Sequence, residues 1–111
     1  MIRHKIYESE LRQALIRFGE IYQFLEIPGP YYVSLTLLGV KGLTICPDMQ
    51  FDWSGLRPIS TDDVVVPLRV IERWTGDPDA ALKPLFDLIW NACGLPRSRN
   101  YDGNDQWIPE R

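Results

Sequence analysis

One histidine, two cysteines and no surplus of basic charge leave this chain short of the groups that most familiar chemistries require. A single histidine, His4, excludes His-pair metal motifs and most zinc geometries. It also leaves a serine or cysteine nucleophile without an internal base unless His4 itself serves. His4 lies close to the start of the chain, where fraying is expected. Cys46 and Cys93 would suffice for one bridge. With no secretory leader to point to an oxidising compartment, they read instead as reduced, packed residues. A net charge of −3 opposes any grip on phosphate backbones, which needs a concentrated basic face, so direct binding of nucleic acid is not expected. Arg69 with Arg73, and Arg97 with Arg99, are too sparse to alter this and read as solvated arginines near carboxylates. No hydrophobic run is long enough to cross a bilayer and no basic, apolar leader opens the chain, so a cytoplasmic protein with no membrane partner is expected.

What is present is an ordinary globular composition, 45% hydrophobic and 24% charged over 111 residues, enough to bury a core without metal or disulfides. With no linker, repeat or low-complexity tract, residues 1–111 read as a single α+β domain. From Ser9, a plausible N-cap, Leu11, Ala14, Leu15, Phe18, Ile21, Tyr22 and Leu25 recur at helical spacing, with Pro28-Gly29-Pro30 as the stop. Residues 31–38 alternate faces as a half-buried strand, Tyr31, Val33, Leu35 and Leu37 on one side. Gly39-Val40-Lys41-Gly42 reads as a hairpin turn leading to a second strand at 43–46. Residues 63–66 supply a third, at an edge because Pro67 cannot donate to a ladder. Residues 68–74 suit either a strand or a short helix. Asp77 and Pro78 then start a helix in which Leu82, Leu85, Phe86, Ile89, Trp90 and Cys93 form one apolar stripe, closed by Gly94 as the residue after the cap. The expected fold is therefore a small antiparallel sheet of about three strands packed by an N-terminal and a C-terminal helix.

Several patterns invite a functional reading and carry a plainer one. Gly39-Val40-Lys41-Gly42 lacks the spacing of a phosphate-binding loop and precedes a strand rather than a helix. Asp62 and Asp63 point to opposite faces if extended, so they make no catalytic pair. Asp48 and Asp52 have no third oxygen ligand at a recognisable spacing. No catalytic residue, metal ligand or cofactor site follows from the sequence. The segment after Gly94 is richer. Arg97, Arg99, Asn100, Tyr101 and Asp102 offer cations, an amide, a phenol and a carboxylate within six positions, and Asn91 on the helix could hold the loop's backbone. These groups suit a ligand or partner loop, or equally a loop locked in place by local turns at Asn100 and Asp102 and by Tyr101 packing with its hydroxyl on a backbone group. Trp107 should cap the same core. An open pocket containing Arg97 and Tyr101 would favour a ligand, whereas an exposed patch with Trp53 or Trp74 would favour a partner.

The string Ser34-Leu35-Thr36-Leu37-Leu38-Gly39-Val40-Lys41-Gly42 and the helix and loop from Trp90-Asn91-Ala92-Cys93-Gly94 to Asn100-Tyr101-Asp102 resemble the C-terminal region of bacterial proteins carrying an AlbA-like, Schlafen-type DNA-binding domain at their N-terminus. In that family the nucleic-acid and nucleotide functions belong to the N-terminal domain, none of whose motif occurs here. The resemblance implies a non-catalytic accessory domain that contacts another protein domain or subunit, such as the AlbA-like domain itself. A regulatory domain holding a small anion or nucleotide through Arg97, Arg99 and Tyr101 is the alternative. A nuclease or other hydrolase fits least, for want of clustered carboxylates or histidines.

Overall fold

The computed structural model describes residues 1–47 and 52–109, so Asp48 of the Asp48–Asp52 pair lies outside the described residues. The element order is α1 (His4–Phe24), β1 (Tyr31–Leu37), β2 (Val64–Ile71) and α2 (Asp79–Ala92). Helix α2 is the centre of the molecule. Its stripe of Leu82, Leu85, Phe86, Ile89, Trp90 and Cys93 is buried throughout, as the spacing predicts. Leu82, Leu85, Phe86 and Ile89 join Val66 and Tyr101 in one apolar cluster, and Trp90 and Cys93 join Val40, Ile45, Ile59 and Leu95 in another. The helix opens at Asp79, one residue later than expected, with Pro78 rather than Asp77 at the N-cap, and Asp77 accepts a hydrogen bond from the Asp79 amide (2.9 Å) just before it. Pro84 sits inside the helix and cannot bond the carbonyl of Ala80, a cost eased by Ala80 being exposed to water. Gly94 closes the helix at φ 86°, with its amide on Asn91 and that of Leu95 on Trp90.

Among the described residues the sheet has two strands, not three. β1 pairs with β2 antiparallel from Tyr31↔Ile71 to Leu37↔Val64, and the alternation of half-buried and exposed residues along β1 matches the sequence pattern. The strand expected at 63–66 begins at Val64 and runs on to Ile71, which settles the ambiguous residues after Pro67 as strand. Between the Val33↔Arg69 and Leu35↔Val66 pairs, β2 spends one residue more than β1, and Pro67 lies in that bulge, where its missing N–H costs no ladder bond. Residues 43–46 do not form the hairpin partner of β1. Their backbone groups are taken elsewhere: Thr44 O accepts from the Ile2 amide, Cys46 N donates to Ile2 O and Leu43 O accepts from Ile59, while Val40 N and Gly42 N donate to Asp62 and Ile59. The glycine-bracketed turn is thus pinned by the 59–63 segment, which enters β2 directly.

Helix α1 starts at His4, so Ser9 lies within it rather than capping it, and no side chain caps its first turn. Its buried positions are His4, Glu8 and Gly19, with Tyr7, Leu11 and Leu15 packed at the edge of the core. Tyr7 meets Phe86 edge-on, and Trp74 lies so close over Gly19 that a Cβ there would stand 2.1 Å from the indole ring. Trp74 is therefore buried, not part of an exposed patch, and Trp53 is half-buried. The apolar residues at the end of α1 that the periodicity assigns to the core, Phe18, Ile21, Tyr22 and Leu25, are exposed instead. The helix turns its Gly19 side to the body, and the stripe falls to one flank of that contact. No described helix is long and apolar enough to cross a membrane.

Candidate functional site

The loop after Gly94 and the first two turns of α1 form one polar cluster inside the molecule. Glu8 is fully buried and its carboxyl collects three donors. Trp90 Nε1 donates to Oε2 (2.8 Å), and Ser98 Oγ (2.7 Å) and Asn100 Nδ2 (3.1 Å) donate to Oε1. Asn100 Nδ2 also lies 3.0 Å from His4 Nδ1, an arrangement that makes Nδ1 the acceptor and places the ring's proton on Nε2. The His4 ring packs edge-on against Trp90 at 4.9 Å, and Trp90 in turn stacks on Trp53 at 5.8 Å. His4 is thus buried and ordered, contrary to the fraying expected of a chain start. Burial pushes the Glu8 pKa above its ordinary 4.5, while the Trp90, Asn100 and Ser98 donors pull it back.

Each residue of the predicted loop has a defined place. Asn91 Nδ2 donates to the carbonyls of Leu95 (2.9 Å) and Pro96 (3.0 Å), holding the backbone as its position suggests. Arg97 Nη1 reaches the carbonyls of Tyr101 and Asp102, both at 3.4 Å, and Arg99 Nη2 that of Asp52 at 3.4 Å. Asn100 does not form a local turn through its side chain but faces Glu8 and His4. Asp102 does form one, its Oδ1 accepting from the amides of Asn104 (2.8 Å) and Gln106 (3.0 Å). Tyr101 packs edge-on against Trp107 at 5.4 Å, yet its hydroxyl donates to Asp79 Oδ1 (2.8 Å) rather than to a backbone group. Asp79 also takes both nitrogens of a forked contact from Arg12, at 2.7 and 3.0 Å, which ties α1, α2 and the loop together. Arg12 and Lys5 sit over the Trp107 ring, and Lys5 Nζ donates to the carbonyl of Ile108.

Glutamate, histidine, serine and asparagine are the residues of acid–base and nucleophilic catalysis, but their arrangement here serves binding within the chain. Ser98 Oγ donates to a carboxylate and accepts from the Asn100 amide at 3.2 Å, so its proton is committed to Glu8 rather than to an imidazole. Glu8, Ser98 and Asn100 are all fully buried, which denies a reacting atom any approach. Among the described residues no group of three or more His, Cys, Asp or Glu side chains converges on a point where a metal would sit. Asp52, half of the weighed Asp48–Asp52 pair, is held by the Ser54 hydroxyl (2.6 Å) and amide (2.9 Å), which lower its pKa. Cys46 and Cys93 are free thiols, and burial raises the pKa of Cys93.

Sequence reasoning missed Glu8, and took His4 to be frayed rather than buried. The available signal was their place at i and i+4 on the same helix face as Leu11 and Leu15, together with Trp90, whose indole N–H needs a partner when buried. The cluster has a consequence in alkali. Desolvation, chiefly, holds the phenols of Tyr7 and Tyr101 far above their ordinary 10.0, aided at Tyr101 by its bond to Asp79 and at Tyr7 by the charge of Glu8. The native state keeps both protons more tightly than the unfolded chain does. The stability this contributes is intact below the ordinary tyrosine range and is lost as pH rises beyond it. Phenolate absorbance from these two residues should appear only together with loss of the helical circular dichroism; their ionisation in a chain that is still helical would contradict the packing described.

No family model, curated protein or solved structure matches the chain.

Proposed function

We propose that this chain is a non-catalytic interaction domain, the accessory role implied by its resemblance to the C-terminal region of AlbA-like, Schlafen-type proteins. The observation that supports this reading is an apolar face along α1 that the described residues leave uncovered. At its N-terminal end, Ile2, Ile6, Tyr7 and Leu11 line a groove against Leu35, Leu37 and Val40, with Arg3 and Glu10 also in its lining. Further along the same helix Phe18, Ile21 and Leu25 stand open to water. Exposed apolar residues gathered along one helix, rather than scattered singly, mark a site of association. The competing idea of a small-anion site at the loop has less support, because Arg97 already lies against two carbonyls and Tyr101 is buried on Asp79.

A photo-reactive phenylalanine analogue placed at Phe18 tests the proposal in the cell that makes the protein. Discrete adducts of defined mass are expected there, and none from the same group at Thr36 on the outer face of β1. Equal, diffuse labelling from both positions, or no labelling from either, would sink the reading.

A further inference from the structure

The occupant of this face follows from its spacing. Tyr7, Leu11, Ala14, Phe18, Ile21 and Leu25 are separated by alternating steps of four and three residues, the seam with which one helix packs along another. Among the described residues only the first half of that seam is used, Tyr7 against Phe86 and Leu11 at the edge of the core. The second half is 55% exposed at Phe18, 49% at Ile21 and 57% at Leu25, with Phe24 beside it at 86%. We infer that a second copy of this chain covers it, the two α1 helices pairing antiparallel about a two-fold axis. The inference rests on the interaction-domain reading and names its partner.

Two features favour a second copy over an unrelated helix. A self-complementary seam closes on itself under two-fold symmetry: Phe18 of one copy meets Ile21 of the other, and Ala14 meets Leu25, a small residue opposite a large one. The flank also matches. In that register Arg17 of each copy lies beside Phe24 of the other, so the most exposed ring among the described residues gains a cation and an aliphatic stem, and no like charges oppose across the seam. Antiparallel alignment opposes the two helix dipoles as well. The area just reaches what pairing needs. Taking about 200 Å² per large side chain, the exposed part of the seam with Phe24 offers on the order of 500 Å² per copy. Pairing that covered all of it would bury about 1,000 Å² in total, the lower limit for a specific association.

Sedimentation equilibrium of the full chain, run alongside Phe18→Glu/Ile21→Glu, provides the test. The expected result is a mass of two chains at micromolar concentration, with association at least tenfold weaker in the variant. Its thermal unfolding should keep the unmodified cooperativity, because both positions are already half exposed. A monomer at every concentration, or a dimer untouched by the substitutions, overturns the inference. The adducts from Phe18 separate the two proposals. A product of twice the chain mass, mapped to residues 21–25 of the second copy, supports pairing. Adducts of other masses alone would refute the second copy while leaving the interaction domain standing, and absence of adducts would remove both.

Discussion

Glu8→Ala is expected to destabilise the protein by about 4 kcal/mol, more than any single surface substitution would cost. The change removes the acceptor of three donor groups, the Trp90 indole N–H, the Ser98 hydroxyl and one N–H of the Asn100 amide, which keeps His4 Nδ1 for its other. A buried donor stripped of its partner costs about 1–3 kcal/mol, and the loss here is reduced because the carboxyl's own desolvation is relieved. Glu8→Gln retains an oxygen for Ser98 and Asn100 but turns an amide N–H toward the Trp90 N–H, so it should fall between the two, at about 2 kcal/mol. Urea unfolding followed by circular dichroism measures both. The folded Glu8 pKa lies above its unfolded value, so the native state gains stability from this proton at low pH and loses it as pH rises through the folded pKa. Glu8→Gln should remove that component. If Glu8→Ala proved as stable as the parent chain, the cluster would not be holding the loop to α1.

Gly94→Ala is the second large effect, expected at about 3 kcal/mol from two independent sources. The residue sits at φ 86°, which costs an L-amino acid about 1 kcal/mol or more. Its Cβ would also stand 2.1 Å from the carbonyl oxygen of Gly55 and 3.1 Å from Arg57 Cγ. The backbone at 55–57 cannot retreat freely, since the Arg57 amide donates to Cys93 O at 2.8 Å, and a shift would break the bond that fastens this loop to the end of α2. Gly76→Ala isolates the first source. Gly76 has φ 88° and a Cβ added there would meet nothing within 4 Å, so that variant should lose only about 1 kcal/mol. Equal losses at the two positions, read from urea midpoints, would show that the 55–57 loop does not press on Gly94.

Helix α2 was legible because its hydrophobic period is uninterrupted from Leu82 to Cys93 and its ends carry their own signals in Asp77, Pro78 and Gly94. Asn91 could be read as a brace for the loop because it lies off the stripe beside the turn it serves. Strand β1 was legible for the same reason as α2, with a period of two. The residues at 43–46 look equally extended, but whether such a segment joins a sheet depends on which backbone reaches it first. Here Ile2 and Ile59 take its hydrogen bonds. Within the loop, Arg97 to Asp102 were visible as a group, whereas their partners were not: Ser98 and Asn100 close on Glu8, distant in sequence, and a charged residue in a helix ordinarily faces water. The outward turn of Phe18 and Ile21 was hidden because periodicity finds a stripe without saying what covers it.

The bonds from Glu8 to Trp90, Ser98 and Asn100 span 82, 90 and 92 residues of sequence. During synthesis α1 must therefore wait, its glutamate unmatched, until the 92 residues that separate Glu8 from Asn100 have left the ribosome. Contacts of such long sequence separation form late and slowly. The cluster that fastens the loop to α1 is then also the last part of the fold to close, and α1 stands without its polar anchor until it does.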